Sequence, residues 1–312
     1  MPALTRSTLI HLAAAILLAG CASAPARTTP AAAGAIGALS ARTALLQADR
    51  ALATAASRDG LRAALAPRFA DDATLLLPNV PTFASAEAAR RLLAGDLGAR
   101  RAWWIPLHVE VSADSSLGIS YGVMLAVDSG VTAAAPRHGK YVAAWRRAPD
   151  GWRIVAFAPT GVIPPPQPQT ITAAGLVAPS LPASGPALAF AEADRAFAAD
   201  AGRRGAAAAF GAFAAPDAVT FPATGDLAQG PSEIEARLAD FSAATTWEWA
   251  PVIAGAAGSG DLGFTVGESV IRPRPGKSGE TNYGKYLTLW RRLPDGRIAY
   301  VADAGSPRPA TR

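Results

Sequence analysis

Cysteine occurs once, as Cys21, so no intrachain disulfide can form and stability must come from packing. Histidine is nearly as scarce. Beyond His11 there are only His108 and His138, and with a single thiol no clustered imidazole or thiolate metal site can be assembled. No metal and no cofactor is therefore expected. A serine-triad hydrolase is not expected either, because no Gly-x-Ser-x-Gly elbow is read in the sequence. Lysine appears only as Lys140, Lys277 and Lys285, and the net charge of +5 rests on arginines scattered in pairs such as Arg90-Arg91 and Arg203-Arg204. Without a basic stripe, nucleic-acid binding is not expected. What is abundant is apolar: 50% of the 312 residues are hydrophobic and only 17% charged, which excludes a disordered chain and leaves room for two domains.

Residues 1–21 read as an export signal. Arg6 supplies a positive start, Leu9 to Leu18 an apolar core too short to span a bilayer, and Ala19-Gly20 a small-residue cleavage context. Leu18-Ala19-Gly20-Cys21 resembles the lipobox of bacterial lipoproteins, which implies lipidation of Cys21 and a membrane lipid as partner. Ala22 stands where an aspartate would signal inner-membrane retention, so the resemblance implies anchoring outside the cytoplasm, on the outer membrane facing the periplasm. Residues 22–37 lack apolar periodicity and are expected to be a flexible tether.

The rest of the chain is written twice. Gly139-Lys140-Tyr141 and Gly284-Lys285-Tyr286 are 145 residues apart, and the same offset relates Ala48-Asp49-Arg50-Ala51 to Ala193-Asp194-Arg195-Ala196, Trp104 to Trp249 and Trp145-Arg146-Arg147 to Trp290-Arg291-Arg292. One register held over more than a hundred residues means a duplicated domain, since the period is too long for a solenoid repeat. After Pro149-Asp150-Gly151 and Pro294-Asp295-Gly296 the register is read as slipping by one, aligning Arg153-Ile154 with Arg297-Ile298 and Pro159 with Asp303. The halves are expected at residues 38–161 and 186–306. The Pro-rich stretch 162–185 forms the linker between them.

Each half opens with Ala-rich helical periodicity (Leu45 to Ser57, Ala187 to Ala201) and a second short helix after Gly60 or Gly205. Ser85, and Gly230-Pro231 with Glu233, signal another helix start. Four strand-like runs then follow in the first half, near 102–112, 117–127, 138–147 and 152–158, joined by turn residues as a meander. Helices first and antiparallel strands afterwards means α+β, with helices on one face of the sheet.

This order, with a strand reading Gly-Lys-Tyr-x-x-x-Trp-Arg-Arg that turns through Pro-Asp-Gly, resembles the SnoaL-like branch of the nuclear transport factor 2-like superfamily, over both halves. The resemblance implies two tandem cone-shaped domains, each a strongly curved antiparallel sheet wrapped by helices, that associate as an intramolecular pseudo-dimer. It implies a cone mouth able to hold a small apolar ligand. The same fold serves isomerases, dehydratases, cyclases and binding modules, so fold alone does not choose.

Period-two alternation places Leu262, Phe264, Val266, Glu268 and Val270 on one strand face. If that row faces the cone, Glu268 is a candidate acid or base; otherwise it sits at a strand end and reaches water or an arginine. Asp303, closing the last strand, is the other candidate catalytic carboxylate. Tyr121, Tyr141, Trp145, Tyr286 and Trp290, with Phe264 and Val266, are pocket candidates, the Tyr/Trp row being equally readable as core. Asp49 and Asp194, present in both halves, point to a structural role as a cap or a helix-to-sheet ion pair. His108, beside Glu110, reads as a solvent-side residue, and Gly258 to Gly263 fits Gly-x-Gly-x-x-Gly but precedes a strand, as a hairpin turn does. The expected function is a lipid-anchored binding protein for a small apolar ligand or a protein partner. The alternatives are a cofactor-free isomerase, dehydratase or cyclase using a carboxylate of the second half, and a structural protein of the cell envelope.

Overall fold

The computed structural model describes residues 30–78, 83–127, 137–160, 181–182, 184–221 and 226–310. The export segment, Cys21 and most of the expected linker lie outside them.

The first domain begins with helix α1, Pro30–Asp59, so the tether expected as far as Gly37 is overturned from Pro30 onward. Ala31-Ala32-Ala33 behind a proline in the first turn favour helix without needing an apolar stripe. Then come α2 (Leu61–Leu65), β1 (Phe69–Leu75), β2 (Ala84–Ser85), α3 (Ala86–Leu92) and α4 (Asp96–Ala99). Ser85 caps α3, its side chain accepting the Ala88 N–H at 3.3 Å. The meander is β3 (Arg101–Val111), β4 (Leu117–Val127), β5 (Arg137–Ala148) and β6 (Gly151–Thr160). The second domain repeats the order: α5 (Pro186–Arg204), α6 (Ala206–Phe213), β7 (Ala214–Thr220), β8 (Ala228–Gln229), α7 (Pro231–Ala244), β9 (Thr245–Ala256), β10 (Leu262–Pro273), β11 (Asn282–Arg292) and β12 (Ile298–Pro307).

The sheets run β2-β1-β6-β5-β4-β3 and β8-β7-β12-β11-β10-β9. They are not wholly antiparallel as expected: β1 lies parallel to β6, and β7 to β12. Each domain reaches its last strand only after crossing the whole meander, and this brings it back beside the first strand in the same direction. Bulges recur at matching places, between Pro106 and His108 and between Pro251 and Ile253.

The register also reverses the expected slip. Thr288 pairs with Asp303 where the equivalent Ala143 pairs with Phe157. Leu76 N–H donates to the Phe157 carbonyl just as Phe221 N–H donates to that of Asp303. The extra residue is in the second hairpin, Leu293 to Arg297, so Asp303 corresponds to Phe157 and not to Pro159.

Each sheet buries one face under its own helices, and that face is marked by glycine. A Cβ on Gly263 would stand 2.4 Å from the Phe190 ring, and one on Gly267 only 2.3 Å from the Ala250 carbonyl oxygen and 2.2 Å from the Tyr286 hydroxyl. In the first domain Gly118 meets Leu45, and Gly122 meets the Ile105 carbonyl, in the same way. The opposite faces of the two sheets pack on each other through β4, β5 and β6 against β10, β11 and β12. Two hairpin tips clasp reciprocally: Ala113 N–H donates to Asp261 at 2.8 Å, and the equivalent Gly258 N–H to the Ser116 hydroxyl at 3.4 Å. Ser259 N–H adds a bond of 2.9 Å to Asp114. Reciprocity of this kind is what an isologous dimer interface shows, here within one chain.

Candidate functional site

The helical face of each sheet is organised by one buried aspartate. Asp49 on α1 accepts Trp104 Nε1–H at 2.8 Å and the Tyr141 hydroxyl at 2.7 Å. Asp194 on α5 accepts Trp249 Nε1–H at 2.9 Å and the Tyr286 hydroxyl at 2.9 Å. The shared aspartates are thus structural, but the bond is to neutral donors on β3, β5, β9 and β11, not an ion pair. Burial pushes both carboxyls upward, Asp194 to about 6, against the opposing pull of these hydrogen bonds.

Trp145 and Trp290 are fully buried and donate to the Ser120 and Thr265 hydroxyls at 2.9 and 2.8 Å. They are core, as are Tyr141 and Tyr286. Gly118-Ile119-Ser120-Tyr121-Gly122 does carry the Gly-x-Ser-x-Gly spacing, but Ser120 is buried in mid-strand and held by Trp145, so it makes no elbow. The base of the second cone is filled by rings gathered around Phe197, with Phe210, Trp249 and Tyr300 at 4.8, 4.7 and 5.6 Å between centroids.

Asp303 shares the Tyr286/Thr288 face and therefore looks into the second cone. The Thr288 hydroxyl donates to it at 2.6 Å. It is enclosed by protein on most sides while part of its surface stays open. Desolvation, reinforced by Asp194 and opposed by Thr288, pushes its carboxyl up to about 7. Among the described residues no arginine or lysine pairs with it. In the first cone the same position is the buried Phe157, stacked 6.0 Å from Tyr141.

Glu268 is not part of this site. It does share a face with Phe264 and Val266, but that face looks towards the other domain, opposite Lys285 on β11. Arg308 holds Glu268 at 3.1 Å, the arginine partner being one of the alternatives open from sequence. Lys285 is wholly buried there, and desolvation brings its ammonium down to about 7 despite Glu268. Alternation tells which residues share a face and not which face is covered by helix; the recurring glycines would have told.

For the same reason Phe264, Val266 and Tyr121 line no cone. Tyr121 stacks on His108 at 4.9 Å and meets Phe221 of the second domain edge-on at 5.6 Å. His108 is thus an interface residue, not a solvent-side one, and its neighbour Glu110 grips Arg291 across the interface at 2.7 and 2.5 Å. Phe264 lies against Gly255 at a cavity between the domains. The glycine-rich turn at Gly258 to Asp261 joins β9 to β10, a hairpin as expected.

Residues 37–158 match the family model of the SnoaL-like domain. No curated protein matches the sequence. Among solved structures, the chain is similar to a ketosteroid isomerase-like protein from Erwinia carotovora atroseptica (17% identity, TM-score 0.34, covering 38% of this chain and 95% of that one). It is also similar to an NTF2-like protein with a cystatin-like fold from Novosphingobium aromaticivorans (15%, TM-score 0.35, 46% and 91%) and to an NTF2-like protein of unknown function from Pseudomonas putida (20%, TM-score 0.32, 38% and 87%). The SnoaL-like match thus falls on the first domain, and the second half repeats the strand order of that domain.

Proposed function

We propose that the second domain is the working one, binding a small apolar molecule whose carbonyl or hydroxyl meets Asp303, while the first domain is a packed partner. The observation that supports this is the exchange of Phe157 for Asp303 at one register position. A buried ring in the first cone is replaced by a smaller carboxyl that offers a hydrogen bond. A carboxyl pushed up to about 7 can be reached in either protonation state near neutral pH, and so can donate or accept. That favours proton-transfer chemistry of the isomerase or dehydratase kind as the second reading. Cyclohexenone offers both an acceptor oxygen and exchangeable carbon-bound protons. Adding the full chain in D2O is expected to perturb second-domain resonances and speed deuterium uptake into the enone, and Asp303→Asn to abolish both. Glu268→Gln should leave both unchanged; the reverse pattern would end the proposal. Perturbed resonances without faster exchange would leave binding alone.

The lipobox resemblance supports carriage of these domains on a lipidated Cys21 at the outer membrane. Cys21→Ala is expected to move the protein from the membrane fraction to the soluble fraction of an expressing Gram-negative cell. Unchanged membrane recovery would remove the anchor from the proposal.

A further inference from the structure

The pseudo-two-fold relation between the domains makes each interface contact predict a counterpart, and one counterpart is missing. In one half, Arg291 uses both edges of its guanidinium. Its Nη1/Nη2 edge takes Asp217 at 2.9 and 3.1 Å, and its Nε/Nη2 edge takes Glu110 of the other domain at 2.7 and 2.5 Å. In the other half, Arg146 takes Asp72 with the Nη1/Nη2 edge at 2.8 and 2.5 Å, but the position equivalent to Glu110 is Gly255. Among the described residues nothing occupies the Nε/Nη2 edge of Arg146. Its side chain is 49% exposed, against 20% for Arg291.

The space this leaves is a cavity of about 350 Å³ between the domains, lined by Arg146, Asp72 and Gly255 together with the apolar Phe264, Ile253 and Leu117. That volume is at the lower end of the ~300–1,000 Å³ of small-molecule sites. Asp71 also borders it, and Arg90 answers that charge at 3.8 Å. Ile253 stands where the other half has His108, and Phe264 where it has Ile119. The lining is therefore largely apolar, with Thr74 and Ser85 as neutral polar groups and Arg146 as its one cation.

We infer that this cavity is a binding site for a small monocarboxylate with a compact apolar body, whose carboxylate takes the place at Arg146 that Glu110 takes at Arg291. A guanidinium edge and a carboxylate match as two parallel charge-assisted hydrogen bonds, which a neutral amide or alcohol of the same shape does not reproduce. The site is separate from the Asp303 cone and does not depend on it.

Calorimetric titration of the full chain with benzoate, and with benzamide as the neutral control, tests this. Saturable benzoate binding is expected, weakened about tenfold or more by benzamide's lost charge or by Arg146→Gln. Arg146→Gln removes one exposed ion pair and should stay folded, as circular dichroism will show. The double change Gly255→Glu with Phe264→Ile rebuilds the other half of the interface, and is expected to abolish binding while raising the Tm. Asp303→Asn should bind benzoate like the parent chain. The inference is overturned if benzoate does not bind, if Arg146→Gln binds it equally well, if inorganic phosphate binds as tightly as benzoate, or if Asp303→Asn and not Arg146→Gln removes it.

Discussion

Asp303→Asn should make the protein more stable at pH 8 by about 2–4 kcal/mol and leave it nearly unchanged at pH 4. A free aspartate titrates near 4, whereas burial holds Asp303 near 7 in the fold. Between these values the folded chain binds a proton that the unfolded chain has released. Stability is therefore full below about pH 4 and declines as pH rises to about 7, where the folded carboxyl at last ionises in a desolvated place. Asparagine resembles the protonated acid, keeps an acceptor for Thr288, and has no charge to bury. Urea denaturation at pH 4, 6 and 8 would show a falling midpoint for the parent chain and a flatter one for the variant. The variant will retain some slope, because Asp194, held near 6, acts in the same direction. Parallel curves would mean that Asp303 ionises normally, and the case for the second cone as a working site would go with it.

Asp49→Ala should cost about 2–6 kcal/mol, the sum of two buried donors left without an acceptor at roughly 1–3 kcal/mol each. Trp104 and Tyr141 are both fully enclosed, so neither can turn to water. Asp194→Ala should cost less, because Trp249 is only half-buried. Tyr141→Phe added to Asp49→Ala should cost less than the two singles together, since the hydroxyl it removes has already lost its partner. A loss under 1 kcal/mol for Asp49→Ala, measured by chemical denaturation, would show that water or another acceptor replaces the carboxylate.

Much of the architecture was legible beforehand because its signals are local. Helix starts at Ser85 and Gly230-Pro231, the turns at Pro149 and Gly258, and the 145-residue offset all depend on near neighbours. What was not legible depends on partners far along the chain. The parallel seating of β6 beside β1 is set by crossing the meander, which no turn residue announces. For Glu268 alternation leaves two readings open, because it is indifferent to which face a helix covers, and the structure takes the one with an arginine partner. The correspondence of Asp303 with Phe157 hid behind one inserted residue, and only the carbonyl of each, taken by Phe221 or Leu76, reveals it.

The clasp between the hairpin tips at Ala113 and Gly258 has a consequence for how such a molecule can change. In an assembly of two identical subunits, every altered residue is imposed on both sides of the axis at once. Here the sides are separate stretches of one polypeptide, and a residue altered in one leaves its twin as it was. One cone can then stay dry and ring-filled, lending rigidity through the shared sheet interface, while the other tolerates a carboxyl that would weaken a symmetric pair twice over.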